Sequence, residues 1–279
     1  MTLLKILILS VIQGFTELLP VSSSAHVIVA ERLLGLDPTA PEMTLLLVLL
    51  HTGTMLAVIV YFRKAWRNAY FASSAALGRM ALNLVLATAL TGLVGLALQA
   101  AIKHWFAGDA VQFEIEQIFG NLHLIAASLA LVGVLIIASS FARPRSDGSF
   151  TLARAGMVGL VQGLCLPLRG FSRSGATIST ALISGIPRQA AEEFSFALAV
   201  VLTPFVVGRE AWRFLHAKSG LVAGDWLGFI WPGLLGLLFS FAAGLVALRW
   251  LSSWLGTGRW HWFGVYCLAA AGFAWWLGS

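Results

Sequence analysis

Six runs of roughly twenty apolar residues constrain this chain more than any other feature. They lie at 43–62, 81–102, 121–141, 193–212, 227–250 and 261–278. A helix rises about 1.5 Å per residue and the hydrocarbon core of a bilayer is about 30 Å thick, so each run is long enough to span it. Hydrophobic residues make up 59% of the sequence and charged residues only 11%, whereas a soluble domain carries about 25% charged residues. Most side chains therefore have no water to face. The chain reads as an all-α integral membrane protein, surrounded by membrane lipids, with no polar block left over for a soluble domain.

Several function classes fall away at once. The net charge of +6 would suggest nucleic acid in a soluble protein, but here Lys and Arg gather in loops, where they orient spans, so no nucleic-acid partner is expected. Cys165 and Cys267 sit in apolar segments, which argues against a disulfide framework or a metal cluster. The N-terminal MTLLKILILS resembles a signal peptide, yet its apolar run leads directly into a polar stretch without a cleavage site, so it reads as retained.

Two further apolar segments are broken. Residues 13–26 read QGFTELLPVSSSAH and residues 162–177 read QGLCLPLRGFSRSGAT. Each opens with Gln-Gly, has a Leu-Pro step and ends in small, hydroxyl-rich residues. Proline removes a donor and restricts its predecessor, and irregular backbone at membrane depth survives only inside protein or along a cavity. The pattern predicts two re-entrant hairpins, at 3–35 (helices over 3–18 and 22–35) and at 155–187. Each hairpin is followed by three spans: 43–62, 81–102 and 121–141 in residues 1–141, then 193–212, 227–250 and 261–278 in residues 155–279, with 142–154 as a polar linker. Three spans per half inverts the second half relative to the first, the plan in which broken helices meet near the midplane. The basic loop at 63–79 and the linker then face the cytoplasm, and both termini, the Asp37–Pro41 turn and the weakly charged loop 103–120 lie outside. Arg209, Arg213 and Lys218 also fall outside, against the trend.

The polar residues at the two breaks suit phosphate chemistry. Serine favours helix N-caps, and a helix N-terminus offers N–H groups and a positive dipole end to an anion. Ser22, Ser23 and Ser24 follow Pro20; Ser172, Arg173, Ser174 and Gly175 follow Gly170, with Thr177 one turn on. Arg173 adds a guanidinium that recognises phosphate bidentately. Gln13 and Glu17 are four apart and share a helix face. An intramembrane carboxylate is costly and marks function; Glu17 suits a hard divalent cation alongside phosphate oxygens or the orienting of a histidine. His26 lies three residues after Ser23, and a Ser/His pair fits acid–base or nucleophilic work on phosphorus. His51 stands alone inside a span and is read as a cavity-lining residue.

At these two stretches the chain resembles the undecaprenyl-diphosphate phosphatase family, also called the bacitracin-resistance protein family, over essentially its whole length. Gln13, Glu17, Leu19, Pro20, Val21, Ser22, Ser23 and His26 meet the first motif, and Gly170 through Thr177 meet the second. Gln13 stands where the family often has Glu, and Arg169 where it has Pro. The resemblance implies hydrolysis of undecaprenyl diphosphate to undecaprenyl phosphate and phosphate, recycling the lipid carrier of cell-wall synthesis and conferring bacitracin resistance. It places the active site at the periplasmic face of the bacterial inner membrane and implies Mg²⁺ or Ca²⁺, with Glu17 as ligand and Gln13 as the candidate second one. Glu17, Ser23, His26 and Arg173 are then the expected catalytic residues, and Ser22, Ser172, Ser174, Gly175 and Thr177 the expected phosphate binders. The attacking group stays open between water, Ser23 and His26. A homo-oligomer is compatible with such a frame.

One other class shares this architecture: a transporter moving undecaprenyl phosphate between leaflets, which needs the phosphate clamp but no acid–base set. A second membrane phosphatase superfamily requires a His where this chain has Ser179, and is excluded on that residue.

Overall fold

The computed structural model describes residues 2–36, 41–107, 121–145, 148–217 and 226–279. The polar turn expected from Asp37, most of the loop expected over 103–120, and Lys218 lie outside these residues. Ten helices and no strand occur among the described residues: α1 (Leu3–Leu18), α2 (Ser23–Leu33), α3 (Pro41–Tyr70), α4 (Ser74–Ala107), α5 (Leu122–Ser140), α6 (Leu152–Cys165), α7 (Arg173–Ile183), α8 (Arg188–Ala217), α9 (Trp226–Gly256) and α10 (His261–Gly278).

Four of them are long and apolar enough to cross a membrane, over Leu45–Tyr70, Ser74–His104, Leu122–Ser140 and Trp231–Gly256. The apolar runs at 193–212 and 261–278 fall within α8 and α10, which stand outside that set. Large apolar side chains face outward on these helices: on α4, Val85, Leu93 and Leu96 are 65%, 66% and 68% exposed. A contiguous apolar exterior of this kind is stable against lipid and not against water.

The breaks appear as expected, with α1 and α2 of 16 and 11 residues and α6 and α7 of 14 and 11. An 11-residue helix is roughly 17 Å long, little more than half the hydrocarbon thickness. Each short helix instead packs on its neighbour, α1 on α2 and α6 on α7. The loop expected over 63–79 is different: α3 continues to Tyr70 and α4 resumes at Ser74, leaving three residues between them. The apolar pattern ends where lipid ends, but helical hydrogen bonding does not need to. Arg and Lys are good helix formers, and Arg67 in the last turn of α3 is favoured by the helix dipole.

The described chain forms two compact units. One comprises residues 1–19, 23–63 and 199–251. Its core gathers Ile6 and Leu9 of α1, Ala30 of α2, and Met43, Leu46 and Leu50 of α3. Gly14 brings α1 against α9, since a Cβ there would lie 2.5 Å from the Ala243 Cβ and 2.8 Å from the Ser240 carbonyl oxygen. The other unit comprises residues 20–22, 64–198 and 252–279. In it α5 packs along α10, α4 along α6, and α7 against both α5 and α6.

Candidate active site

Gln13, Glu17, Ser23, His26 and His51 belong to the first unit. α1 ends at Leu18 because Pro20 follows; the Leu19 N–H still reaches the Phe15 carbonyl at 2.9 Å. The chain turns through Ser22, whose φ of +70° is the only left-handed value at a non-glycine residue among those described, and α2 starts at Ser23. This tight reversal returns Ser23 to Glu17: the Ser23 hydroxyl donates to Glu17 Oε2 at 2.6 Å. Gln13, one helical turn before Glu17, donates its Nε2–H to the same oxygen at 3.1 Å. Gln13 therefore meets the carboxylate through its amide nitrogen. His51 Nε2 on α3 stands 3.6 Å from that oxygen, and its Nδ1 is 2.8 Å from the Leu47 carbonyl oxygen. The Glu17 and His51 side chains are 14% and 34% exposed, so the group opens on one side. His26 is half-buried, one turn past Ser23 on α2.

Ser172, Arg173, Ser174, Gly175 and Thr177 belong to the second unit. The chain reverses between α6 and α7 in a turn whose Leu168 carbonyl accepts from the Phe171 N–H at 3.0 Å. Gly170, third in that turn, has φ +97°, and a Cβ there would lie 2.5 Å from the Ile125 carbonyl oxygen, so only glycine fits. Arg169 occupies the second position, where proline is common but not required. Ser172 then caps α7, its Oγ accepting from the Gly175 N–H at 3.2 Å. Arg173 begins the helix, half-buried, while Ser172, Ser174, Gly175 and Thr177 are buried. The Thr177 hydroxyl lies 2.8 Å from the Arg173 carbonyl and 2.6 Å from Ser195 Oγ on α8. It thus braces the first turn of α7, and Gly175 serves the cap.

Glu17 is a partly open carboxylate with an imidazole nearby, the donor types that a divalent cation bound here would take from the protein. Among the described residues no three or more His, Cys, Asp and Glu cluster. An ion here would keep water or substrate oxygens in its shell, as magnesium commonly does.

Two features escape a reading of the sequence. One is the approach of His51 to Glu17. The other is a carboxyl pair at the start of α8, in the second unit. Ser252 Oγ donates to Glu192 Oε1 at 2.5 Å, and Gln189 Nε2 donates to Glu193 Oε1 at 2.8 Å. Burial pushes the Glu192 carboxyl up from 4.5 to about 7, opposed by the Ser252 hydrogen bond and reinforced by the Glu193 charge. Between pH 4.5 and about 7 the folded protein holds a proton that the unfolded chain releases, so stability falls as pH rises through that window and levels off above it. Glu192→Gln is expected to flatten this dependence: its thermal midpoint, followed by tryptophan fluorescence, should fall less than wild type between about pH 5 and pH 8.

A curated relative from Acinetobacter baylyi, named undecaprenyl-diphosphatase 2, is 56% identical over 275 residues, covering 98% of this chain and 96% of its own. An undecaprenyl-diphosphatase from Korarchaeum cryptofilum is 32% identical over 268 residues, 96% of each chain. Undecaprenyl-diphosphatase 2 from Burkholderia ambifaria is 33% identical over 291 residues, 98% of this chain and 96% of its own. The family model described as bacitracin resistance protein BacA matches residues 6–273, and the chain belongs to that family.

Proposed function

We propose that this protein is a membrane phosphatase that hydrolyses undecaprenyl diphosphate to undecaprenyl phosphate and inorganic phosphate. The observation that carries the reading is the Ser23 hydroxyl donated to the Glu17 carboxylate at 2.6 Å, inside a chain 56% identical to a protein of that name. The reaction returns the lipid carrier to cell-wall synthesis and, by depleting the diphosphate form, fits the bacitracin resistance in the family's name.

In the proposed chemistry, Arg173, Ser172, Ser174 and the first turn of α7 hold the terminal phosphate. Charge-assisted bonds from a guanidinium and a helix N-terminus suit its oxygens. Glu17 takes the proton of Ser23 as the hydroxyl oxygen attacks the terminal phosphorus. The bond from that phosphorus to the bridging oxygen breaks, and undecaprenyl phosphate leaves. His26 then activates the water that releases phosphate from Ser23. A bound Mg²⁺ or Ca²⁺ would neutralise charge on the diphosphate oxygens. Rapid quench with substrate labelled in the terminal phosphate is expected to trap label on Ser23, and more of it in His26→Ala. Release of phosphate with no adduct would replace Ser23 attack by direct attack of water. Release in detergent, where no leaflets exist, distinguishes the enzyme from a carrier of undecaprenyl phosphate.

The membrane arrangement belongs to the same proposal: six spans and two re-entrant hairpins in two inverted halves, in the bacterial plasma membrane, with the site facing the periplasm. The short α1–α2 and α6–α7 pairs support it. Single cysteines at Asp37 and Arg145 test it, since an impermeant thiol reagent added outside should label the first and not the second.

A further inference from the structure

We propose that His51 supplies a nitrogen ligand to a divalent cation held by Glu17; the proposal rests on the cation of the phosphatase reading. The carbonyl oxygen of Leu47 can only accept a hydrogen bond, so His51 Nδ1, at 2.8 Å from it, carries the hydrogen. In the neutral ring Nε2 is then an electron-pair donor, and it faces the Glu17 carboxylate oxygen at 3.6 Å. Two such atoms repel unless something positive lies between them. A direct charge-assisted hydrogen bond would bring them to about 2.7–2.9 Å, and 3.6 Å is beyond hydrogen-bond range. Two ligands at about 2.0–2.2 Å from one ion are separated by roughly 3.0–3.6 Å. The pair is spaced for a shared cation.

The surroundings agree. A metal-binding histidine almost always fixes its second nitrogen on a backbone carbonyl or carboxylate, which is what Leu47 does here. Leu46 and Leu50, five and one residues before His51 in the sequence, are buried in the core shared with α1, and the Thr54 hydroxyl donates to the His51 carbonyl at 2.9 Å. The imidazole is thus held in place before an ion arrives. Gln13 and Ser23 both donate hydrogens to Glu17, so they steady the carboxylate, and His51 Nε2 stands 3.6 Å from the same oxygen. Gln13 turns its amide nitrogen to Glu17 and brings no second carboxylate; an imidazole from another helix supplies a nitrogen instead. Nitrogen donors favour Mn²⁺ over Ca²⁺, so Mn²⁺ is expected to bind the tighter.

The test uses the full chain in detergent, loaded with Mn²⁺ and read by pulsed electron paramagnetic resonance. Wild type should show coupling to a directly bound ¹⁴N, changing to a ¹⁵N pattern when only histidine is ¹⁵N-labelled. His51→Gln should abolish the coupling and weaken Mn²⁺ by at least about 10-fold, since losing even an outer partner of a ligand costs about 10–100-fold. Mn²⁺ bound without histidine coupling overturns the His51 ligand and leaves the cation at Glu17 standing. Phosphate release with no Mn²⁺ bound overturns both and leaves the phosphatase standing. Coupling that persists in His51→Gln also overturns the proposal. Should that variant fail to fold, His26→Gln decides: coupling kept supports His51, and coupling lost assigns the nitrogen to His26 and overturns it.

Discussion

Arg173→Lys is expected to lower the turnover of phosphate release by about 10²–10³-fold, the usual cost of removing one preorganised donor from a transition-state oxyanion. Arg173→Ala should cost more, towards the roughly 10³–10⁵ that an arginine contributes to phosphoryl transfer. The argument is geometric. Arg173 is the first residue of an 11-residue helix capped by Ser172, so in the proposed chemistry its guanidinium and the helix's positive end would act on the same anion. A guanidinium offers a rigid fork to two phosphate oxygens, whereas lysine offers a point charge on a flexible stem. The positive charge survives in the lysine variant, so the loss isolates the fork. Phosphate release in detergent, with kcat and KM separated, is the measurement. A lysine variant within about threefold of wild type would remove the bidentate role of the guanidinium.

Glu17→Gln should lose about 10³-fold or more in kcat, within the roughly 10²–10⁴ contributed by general acid–base groups with the loss of the cation's carboxylate added. The substitution is close to isosteric. The Ser23 hydroxyl, now 2.6 Å from Glu17 Oε2, can still donate to an amide oxygen, and α1 and α2 keep their shared core. Folding should therefore survive while the base is lost, which separates chemistry from stability. Thermal midpoint and kcat measured on the same preparation check both halves; a variant that is stable and near wild type in turnover would remove Glu17 as the base.

Much of this was legible in the sequence, and the reason is local. Glu17 follows Gln13 by one helical turn, so their hydrogen bond needs only helical periodicity. Pro20 and the serines after it stop one helix and start the next, and Gly170 marks a turn that no other residue can make. Helix ends were less legible: α3 passes Arg63, Lys64 and Arg67 without breaking, because the hydropathy pattern records the lipid boundary and not the limit of backbone hydrogen bonding. Thr177 shows the same limit for side chains. Its hydroxyl meets Ser195 of α8 at 2.6 Å, a partner 18 residues away that only the packing supplies.

The sequence alone therefore determined the membrane class, the two breaks and the pairing of Gln13 with Glu17, since each follows from composition or from contacts within a turn or two. Tertiary structure decided which distant groups face those residues. His51 reaches Glu17 because the buried faces of α1 and α3 meet through Leu9, Leu46 and Leu50, and Glu192 is buried against Ser252, which is far along the chain. Apolar packing is non-directional and can be satisfied in many registers. Only the packed register settles whether a lone histidine in an apolar helix meets lipid or a carboxylate.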